Sequence, residues 1–287
     1  MNTGLYLDLP EADYHNDPHD TPSLSSTTAK ALVLESEAHA YMRHPKLGGQ
    51  PFVPSNEMDR GSLIHFLLLG KGVVKVVIVE CDEWTKKNDK KERDEARAAG
   101  FLAVTRKLYD SSVIAAAEIR KKLDARGYRL EGHSEVTVLW NETASDGTIV
   151  PCRARMDHVV GPEIWDLKIA NANPRRLKRG HLTAMGYDIQ GAAYPRALES
   201  VDIRLRGRTV FKLLVCEPEP PYCITPVRFA GSLRELGARK WARAVDTFAA
   251  CLRSGHWGDY VDGEFVAEAR AYELEDEDEA GSFEGAA

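Results

Sequence analysis

The chain has 287 residues, 43% of them hydrophobic, and a formal net charge of −6. This composition suits one large domain with a substantial core, and the longest apolar run, around His65, is far too short to span a bilayer. Five scattered cysteines, an odd number, fit a reducing cytosol, and the opening MNTGLYLDLPEADYH lacks the basic and then apolar pattern of a signal peptide, so we expect a cytoplasmic protein.

The first half of the chain is predicted to be mainly helical. Hydroxyl groups at Ser25, Ser26 and Thr27 can accept orphan backbone N–H groups, so they predict the start of a helix. The predicted order is an irregular segment at 1–22, a helix from about 25 to 43, a loop at 44–56, a helix at 60–70, a strand at 73–80, a solvated charged segment at 83–99 and a helix at about 105–126.

The second half is predicted to be rich in strands. Asp146-Gly147 is a strong signal for a hairpin turn, and Gly161-Pro162-Glu163 supplies a second turn. The predicted order is strands at about 134–141, 149–160 and 163–169, a helix at about 181–199, strands at 209–217 and 222–229, and a helix at 233–254.

Asp157, Asp166 and Lys168 are the most informative polar residues of these strands. Side chains two positions apart in a strand share a face, so Asp166 and Lys168 point together and Leu167 points to the other side. If the two strands pair through their turn, Asp157 lies beside them. Charges in a mostly apolar strand are costly unless they are paired or bound to metal, and hard oxygen ligands favour Mg²⁺ or Mn²⁺ over zinc. We interpret the pattern as the D…D-x-K layout of a metal-dependent nuclease; the alternative is an edge strand with an exposed ion pair.

Other candidate residues suit a site but also suit ordinary packing. Glu135 opens an alternating segment and is either a third acid of the site or a solvent-facing strand residue. A lone histidine on an apolar helix, as at His65, is more often a hydrogen-bonded core residue than a ligand. Tyr187, Gln190 and Tyr194 share one helical stripe, which taken alone indicates a packing face.

The order of these parts resembles the PD-(D/E)xK nuclease superfamily and, within it, the RecE-type (exonuclease VIII-like) recombination exonucleases. That order is a helix with His, strands with Glu, Asp and D-x-K, and a helix with Q-x-x-x-Y. The segments PSLSSTTAKALVLESEAHAY, W-x-K-K-N at Trp84 to Asn88 and GFLAVTRKLYD are also similar, and the likeness covers roughly residues 5–260. It implies an α/β fold with a PD-(D/E)xK nuclease core, a central mixed β-sheet flanked by helices, within residues 1–270.

The resemblance also implies roles for the candidate residues. The implied metal ligands are His65, Asp157, Asp166 and the carbonyl group of Leu167. Lys168 would position or activate the attacking water, Glu135 would be a further catalytic acid, and Gln190 and Tyr194 would support the site or touch DNA. The implied cofactor is Mg²⁺, with Mn²⁺ possible. No C-x-x-C pair is present, so we expect no iron–sulfur cluster of the kind that some relatives carry.

The expected substrate is the end of linear double-stranded DNA, digested 5′ to 3′ to leave a 3′ single strand. Basic residues directly after the D-x-K strand are placed to bind DNA phosphates, and the alternative is an ordinary exposed loop. They are Arg175, Arg176, Lys178 and Arg179. The resemblance implies a single-strand annealing protein as partner and a ring-like homo-oligomer. Alternative functions are a single-strand-specific or Cas4-like nuclease and a catalytically inert scaffold that binds DNA ends.

An acidic tail follows, which we place at residues 271–287. Glu273 to Ala287 contains seven acids and no lysine or arginine, and leaving these acids out changes the net charge from −6 to +1. Like charges repel and the segment has little to bury, so it is predicted to be disordered. Its simplest role is solubility; the alternative is that it mimics nucleic acid or recruits a basic partner.

Overall fold

The computed structural model describes residues 1–50, 56–72, 75–261 and 263–275, without the side chains of residues 56, 57 and 179. The elements, in chain order, are β1 (Gly4–Tyr6), α1 (Glu11–His15), β2 (Leu24–Ser25), α2 (Ser26–Leu34), α3 (Glu37–Arg43), α4 (Asn56–Leu69), β3 (Val76–Val79), α5 (Lys87–Ala98), β4 (Leu102–Thr105), α6 (Arg106–Ala125), β5 (His133–Thr143), β6 (Ile149–Val160), β7 (Glu163–Ile169), α7 (Pro174–Arg176), a π-helical turn (Leu177–His181), α8 (Leu182–Ala184), α9 (Tyr187–Val201), a 3-10 turn (Ile203–Leu205), β8 (Val210–Cys216), β9 (Ile224–Arg228) and α10 (Gly231–Ser254). Within these ranges, no helix combines the length and the apolar character that a bilayer crossing requires.

A mixed sheet with the strand order β1-β5-β6-β7-β8-β9 forms the centre of the protein. Its neighbours are antiparallel except β7 and β8, which run parallel because α9 and its flanking turns connect them. β2 adds a short parallel pairing to the first half of β6. β3 and β4 form a separate parallel pair joined through α5. The predicted α/β fold, with a central mixed sheet between helices, is confirmed.

Helices bury both faces of the central sheet. On one face, α2, α9 and α10 contribute core residues such as Ile189 and Phe248, which pack with residues of β5 and β6. On the other face, α4 and α6 contribute Ile64 and Ile119, which pack with Leu167 of β7. Burying a side chain of this size contributes about 1.5–3 kcal/mol. The two layers therefore hold β7, which carries the D-x-K triplet, in the interior.

The N-terminal part is more regular than predicted. Residues 1–22 were expected to be irregular, but β1 pairs with β5 at the sheet edge and α1 follows it. Ser25 caps α2 as predicted, because its hydroxyl accepts the N–H of Thr28. The single helix predicted to reach residue 43 is wrong. It is interrupted at Glu35, and Ser36 caps a second helix, α3.

The helix predicted at 181–199 also begins differently. Helical structure starts already at Pro174, where the Asn173 side chain accepts the N–H of Arg175. Gly186, with a φ of 65° that suits glycine, then separates this segment from α9. The later strands and α10 lie within a few residues of their predicted bounds. Of the predicted acidic tail, residues 271–275 are exposed and helical, and residues 276–287 lie outside the described part, as do residues 73–74 of the strand predicted at 73–80.

Candidate active site

A gap between β6 and β7 creates the candidate site. The two strands pair only near their turn, and the last pair is His158 with Trp165. The first half of β6 pairs with β2 instead, so β6 and β7 separate beyond this point. Asp157 and Asp166 are the first residues on either side of the gap. The predicted proximity of the two acids therefore follows from how the hairpin opens.

A third carboxylate continues this row across the sheet. The pairs Ser134–His158 and Val136–Met156 flank Glu135 and Asp157, which places these two acids opposite each other. Adjacent strands therefore present Glu135, Asp157 and Asp166 in turn. Glu135 has a φ of 56°, a left-handed value that costs a non-glycine residue about 1–3 kcal/mol. Such strain occurs where the surroundings enforce it, and functional sites are common among those places.

His65, Glu135 and Asp157 form the first half of the site, which we call the histidine–carboxylate cluster. One ligand atom from each lies within 4.8 Å of the other two. His65 reaches the gap from α4, and its Nδ1 is 3.7 Å from Oδ2 of Asp157. Glu135 is held by Arg155, whose Nε donates to the Glu135 carboxylate at 2.6 Å. Of the two alternatives for Glu135, the structure has the acid at the site.

Leu167 joins this cluster through its backbone. Its N–H donates to Oδ2 of Asp157 at 2.7 Å, because β6 offers no backbone partner at this position. The N–H and C=O of one strand residue point to the same side. The carbonyl group of Leu167 therefore also faces the gap, where it can serve as an oxygen ligand.

Asp166, Lys168 and Gln190 form the second half, which we call the lysine cluster. Nζ of Lys168 is 2.5 Å from Oδ2 of Asp166, which confirms that the two side chains share a face. Nε2 of Gln190 donates to Oδ1 of Asp166 and to the hydroxyl of Tyr194. Gln190 and Tyr194 are buried on α9, so the helical stripe both packs against the sheet and supports the site.

Burial and repulsion between the carboxylates of the row disfavour their ionised forms. Burial raises the pKa of Asp166 to about 6; Lys168 opposes this shift and Asp157 adds to it. Burial likewise raises the pKa of Asp157, against the effects of His65 and Lys168. Burial disfavours the ammonium of Lys168, but the carboxylates of Asp166 and Asp157 outweigh it and raise the pKa of Lys168. The site therefore favours an additional positive charge.

The histidine–carboxylate cluster fits a hard divalent cation. Bonds of about 2.1 Å keep the ligand atoms of Mg²⁺ within roughly 4.2 Å of one another, and the three ligand atoms here all lie within 4.8 Å of one another. Carboxylate oxygens and one imidazole suit Mg²⁺ or Mn²⁺. Among the described residues, this group of three does not include Asp166, whose oxygens contact Lys168 and Gln190. Asp166, which the sequence resemblance implies as a ligand, lies on β7 beside Asp157 and outside this group of three.

Two residues near the site were missed by sequence reasoning. Arg155 holds Glu135, and Lys30 of α2 places its ammonium 5.3 Å from the ring centroid of Tyr187. Burial and then Lys168 lower the pKa of Lys30 to about 8. Arg155 could have been found from its position two residues before Asp157. Nothing in the local sequence around Lys30 indicates that α2 lies against this part of the sheet.

The basic segment after β7 is exposed. Arg175 and Arg176 belong to α7 and Lys178 to the π-helical turn, so these residues are helical rather than part of a loop. All three side chains are exposed, and within the described part of the chain none of them forms an ion pair. The side chain of Arg179 lies outside the described residues. The three described cations are therefore available to an external anion.

Comparison with known proteins gives a likeness of fold. No family model matches the chain, and no curated protein matches it by sequence. The chain is similar to a crystal structure described as a "putative exonuclease" from Eubacterium rectale, with 13% identity and a TM-score of 0.61. The match covers 93% of this chain and 97% of that one. At this identity the likeness concerns the fold, and it extends over nearly the whole of both chains.

Proposed function

We propose that this protein is a magnesium-dependent exodeoxyribonuclease that hydrolyses phosphodiester bonds in linear double-stranded DNA. The observation that carries the proposal is the row of Glu135, Asp157 and Asp166 across three strands, with Lys168 beside it at the opening between β6 and β7. The fold likeness to a protein described as an exonuclease supports the same class of reaction.

The histidine–carboxylate cluster would hold the metal. Its ligands would be His65, Asp157 and Glu135, together with the Leu167 carbonyl group; Asp166, the next acid in the row, would complete the set. A bound Mg²⁺ supplies a Lewis acid that polarises a phosphoryl oxygen and lowers the pKa of bound water. Mn²⁺, with the same preference for oxygen ligands, would substitute.

Lys168 would align the water and stabilise the negative charge of the transition state. In the reaction, a bond forms from the water oxygen to phosphorus while the bond from phosphorus to the 3′ oxygen breaks. The water loses a proton and the 3′ oxygen gains one. Because Asp166 and Asp157 raise the pKa of Lys168, its ammonium is a hydrogen-bond donor rather than a proton acceptor. Gln190 would keep Asp166 in position for this pairing.

DNA would approach along the exposed basic segment. Arg175, Arg176 and Lys178, with Arg179 beside them in the sequence, would contact backbone phosphates outside the site. We further propose 5′-to-3′ digestion that leaves a 3′ strand for a single-strand annealing protein, in a ring-like homo-oligomer. These finer points rest on the sequence resemblance, and the proposed cytoplasmic location rests on the scattered cysteines, which suit a reducing compartment.

Digestion of matched DNA substrates tests the proposal. Linear duplex, covalently closed circular duplex and single strands, labelled at the 5′ or 3′ end, are incubated with Mg²⁺, Mn²⁺ or EDTA. We expect release of nucleotides from the 5′ end of linear duplex only, and only with metal. Preference for single strands would favour a different nuclease task. Binding to DNA ends without cleavage in either metal would favour an inert scaffold and overturn the proposal.

A further inference from the structure

Lys30 lies beside the lysine cluster, and the function proposed above gives it no role. Its ammonium is over the ring of Tyr187 at 5.3 Å from the centroid, and the ammonium of Lys168 is over the same ring at 5.5 Å. Lys30 also interacts electrostatically with Lys168 and Asp166. Two ammonium groups, one from α2 and one from β7, thus share one aromatic ring at the site.

Among the described residues, the ammonium of Lys30 has no acceptor. In the part of the chain that the structure describes, no oxygen accepts a hydrogen bond from it or forms an ion pair with it. Asp188, an acid that interacts with it electrostatically, pairs with Lys240 at 2.7 Å instead. A largely buried ammonium without an acceptor is costly. An anion from outside the chain would provide that acceptor.

Close packing holds Lys30 in this position. A Cβ atom at Gly186 would lie 2.6 Å from Cγ of Lys30, so the stem of the lysine passes directly over the glycine. The ring of Tyr187, the next residue, lies below the ammonium. The packing of α2 against Gly186 and the start of α9 therefore restrains the side chain before any ligand binds, which reduces the ordering that binding requires.

We propose that Lys30 binds a non-bridging oxygen of the DNA phosphate that is cleaved, so that Lys30 and Lys168 approach this phosphate from different elements. The inference deepens the proposed nuclease function and rests on it. Negative charge on these oxygens increases as water attacks phosphorus, so a preorganised ammonium stabilises the transition state more than the bound substrate. Loss of Lys30 therefore lowers kcat more than it raises KM.

Substitution of Lys30 by a neutral and by a charged residue tests this role. Lys30→Met keeps most of the stem and removes the charge, and Lys30→Arg keeps the charge. Lys121→Met is the matched control, because Lys121 is exposed on α6 and has no partner among the described residues. We measure kcat and KM on linear duplex, thermal melting, and the salt dependence of duplex binding in an Asp157→Asn background, where cleavage does not interfere.

We expect Lys30→Met to lower kcat about 100-fold, as the loss of one donor to a developing charge does. It should also reduce the salt slope, the magnitude of the slope of log binding constant against log salt concentration, by about 1. Lys30→Arg should recover most of both, and Lys121→Met should change neither. Should Lys30→Met fail to fold, Lys30→Gln provides the neutral variant.

Two results would overturn the inference: a neutral variant that matches Lys121→Met in kcat and salt slope, or a folded Lys30→Arg as impaired as the neutral variant. Failure of the wild-type protein to cleave any DNA is a separate result. It would reject the nuclease function, and an unchanged salt slope would then reject phosphate binding by Lys30 as well.

Discussion

The two halves of the candidate site differ in how their charges are balanced. In the histidine–carboxylate cluster, the side chains of His65 and Asp157 remain 23% and 17% exposed, and Arg155 forms an ion pair with Glu135. In the lysine cluster, Asp166 is 1% exposed, and Lys168 and Gln190 hold its two oxygens. The first half is therefore short of positive charge, whereas in the second half the carboxylate of Asp166 is buried and already paired, with Lys168 itself 24% exposed.

This difference indicates that the two clusters have different roles. A cluster of partly exposed ligands with excess negative charge is suited to accept an ion from solution. A buried carboxylate that forms an ion pair with Lys168 and accepts a hydrogen bond from Gln190 is suited to hold one ammonium in a fixed place, which is what transition-state stabilisation requires. The opening between β6 and β7 brings the two halves together, because Asp157 and Asp166 lie on its two sides.

Loss of the charge of Asp157 should have the largest effect. Asp157→Asn keeps an oxygen for the N–H of Leu167 and removes a metal ligand. We expect turnover to fall on the order of 10³-fold, because the metal contributes several kcal/mol to the transition state, and Mn²⁺ binding by calorimetry to be lost. Asp82→Asn, at an exposed acid, is the control. Mn²⁺ affinity equal to that of the wild type would show that this cluster is not the metal site.

Removal of the ammonium of the lysine cluster should separate catalysis from metal binding. Lys168→Met leaves the buried carboxylate of Asp166 without its ion partner, so the metal-free protein should lose about 3 kcal/mol of unfolding free energy. Turnover should fall by roughly 10²-fold, while Mn²⁺ still binds. Urea unfolding with and without Mn²⁺ measures the effect. We expect Mn²⁺ to stabilise the variant more than the wild type. Equal stabilisation would mean that Asp166 does not interact with the metal.

Loss of the Gln190 amide should have an intermediate effect. Gln190→Leu removes the donor to Asp166 but keeps an apolar side chain on α9, so turnover should fall about 10- to 100-fold, as is typical when a group supporting a metal site is lost. Tyr194→Phe should have a smaller effect, since the tyrosine hydroxyl accepts from Gln190 and does not touch Asp166. Steady-state rates on linear duplex measure both, and a larger effect for Tyr194→Phe would contradict this order.

The smallest effect we expect is on pH dependence. As pH rises, the contribution of Asp166 to stability should fall while the affinity for Mn²⁺ should increase. Because burial raises the pKa of Asp166 to about 6, the folded protein binds this proton more tightly than the unfolded chain does. The stability contribution of Asp166 is therefore present below the usual aspartate pKa of about 4 and is lost as pH rises to about 6. A metal competes with the same proton, so Mn²⁺ affinity should fall as pH decreases below about 6.

Melting of the wild type and of Asp166→Asn, with and without Mn²⁺ between about pH 4 and 7, isolates this contribution from those of other acids. We expect the difference in melting temperature between the two proteins to have one sign without Mn²⁺ and the opposite sign with Mn²⁺. A difference that does not vary with pH would show that the ionisation of Asp166 is not coupled to folding or to metal binding.

Much of the candidate site could be predicted because it depends on short-range geometry. Alternation within one strand predicts that Asp166 and Lys168 share a face, and a single turn brings Asp157 next to them. The metal ligands were less predictable. Glu135 was left between two alternatives, since its place depends on the register of β5 against β6, and the group of three ligand atoms contains Glu135 and not Asp166.

The amino-acid sequence by itself determined the α/β class, most of the later strands and the D-x-K triplet. These follow from hydrophobic periodicity, hairpin signals and the two-residue repeat of a strand, which act over a few residues. Only the tertiary structure decided that β2 draws β6 away from β7, that His65 reaches Asp157 from α4, and that Lys30 lies over Tyr187. Those positions depend on which apolar faces bury one another between elements far apart in the chain, and no local pattern specifies that choice.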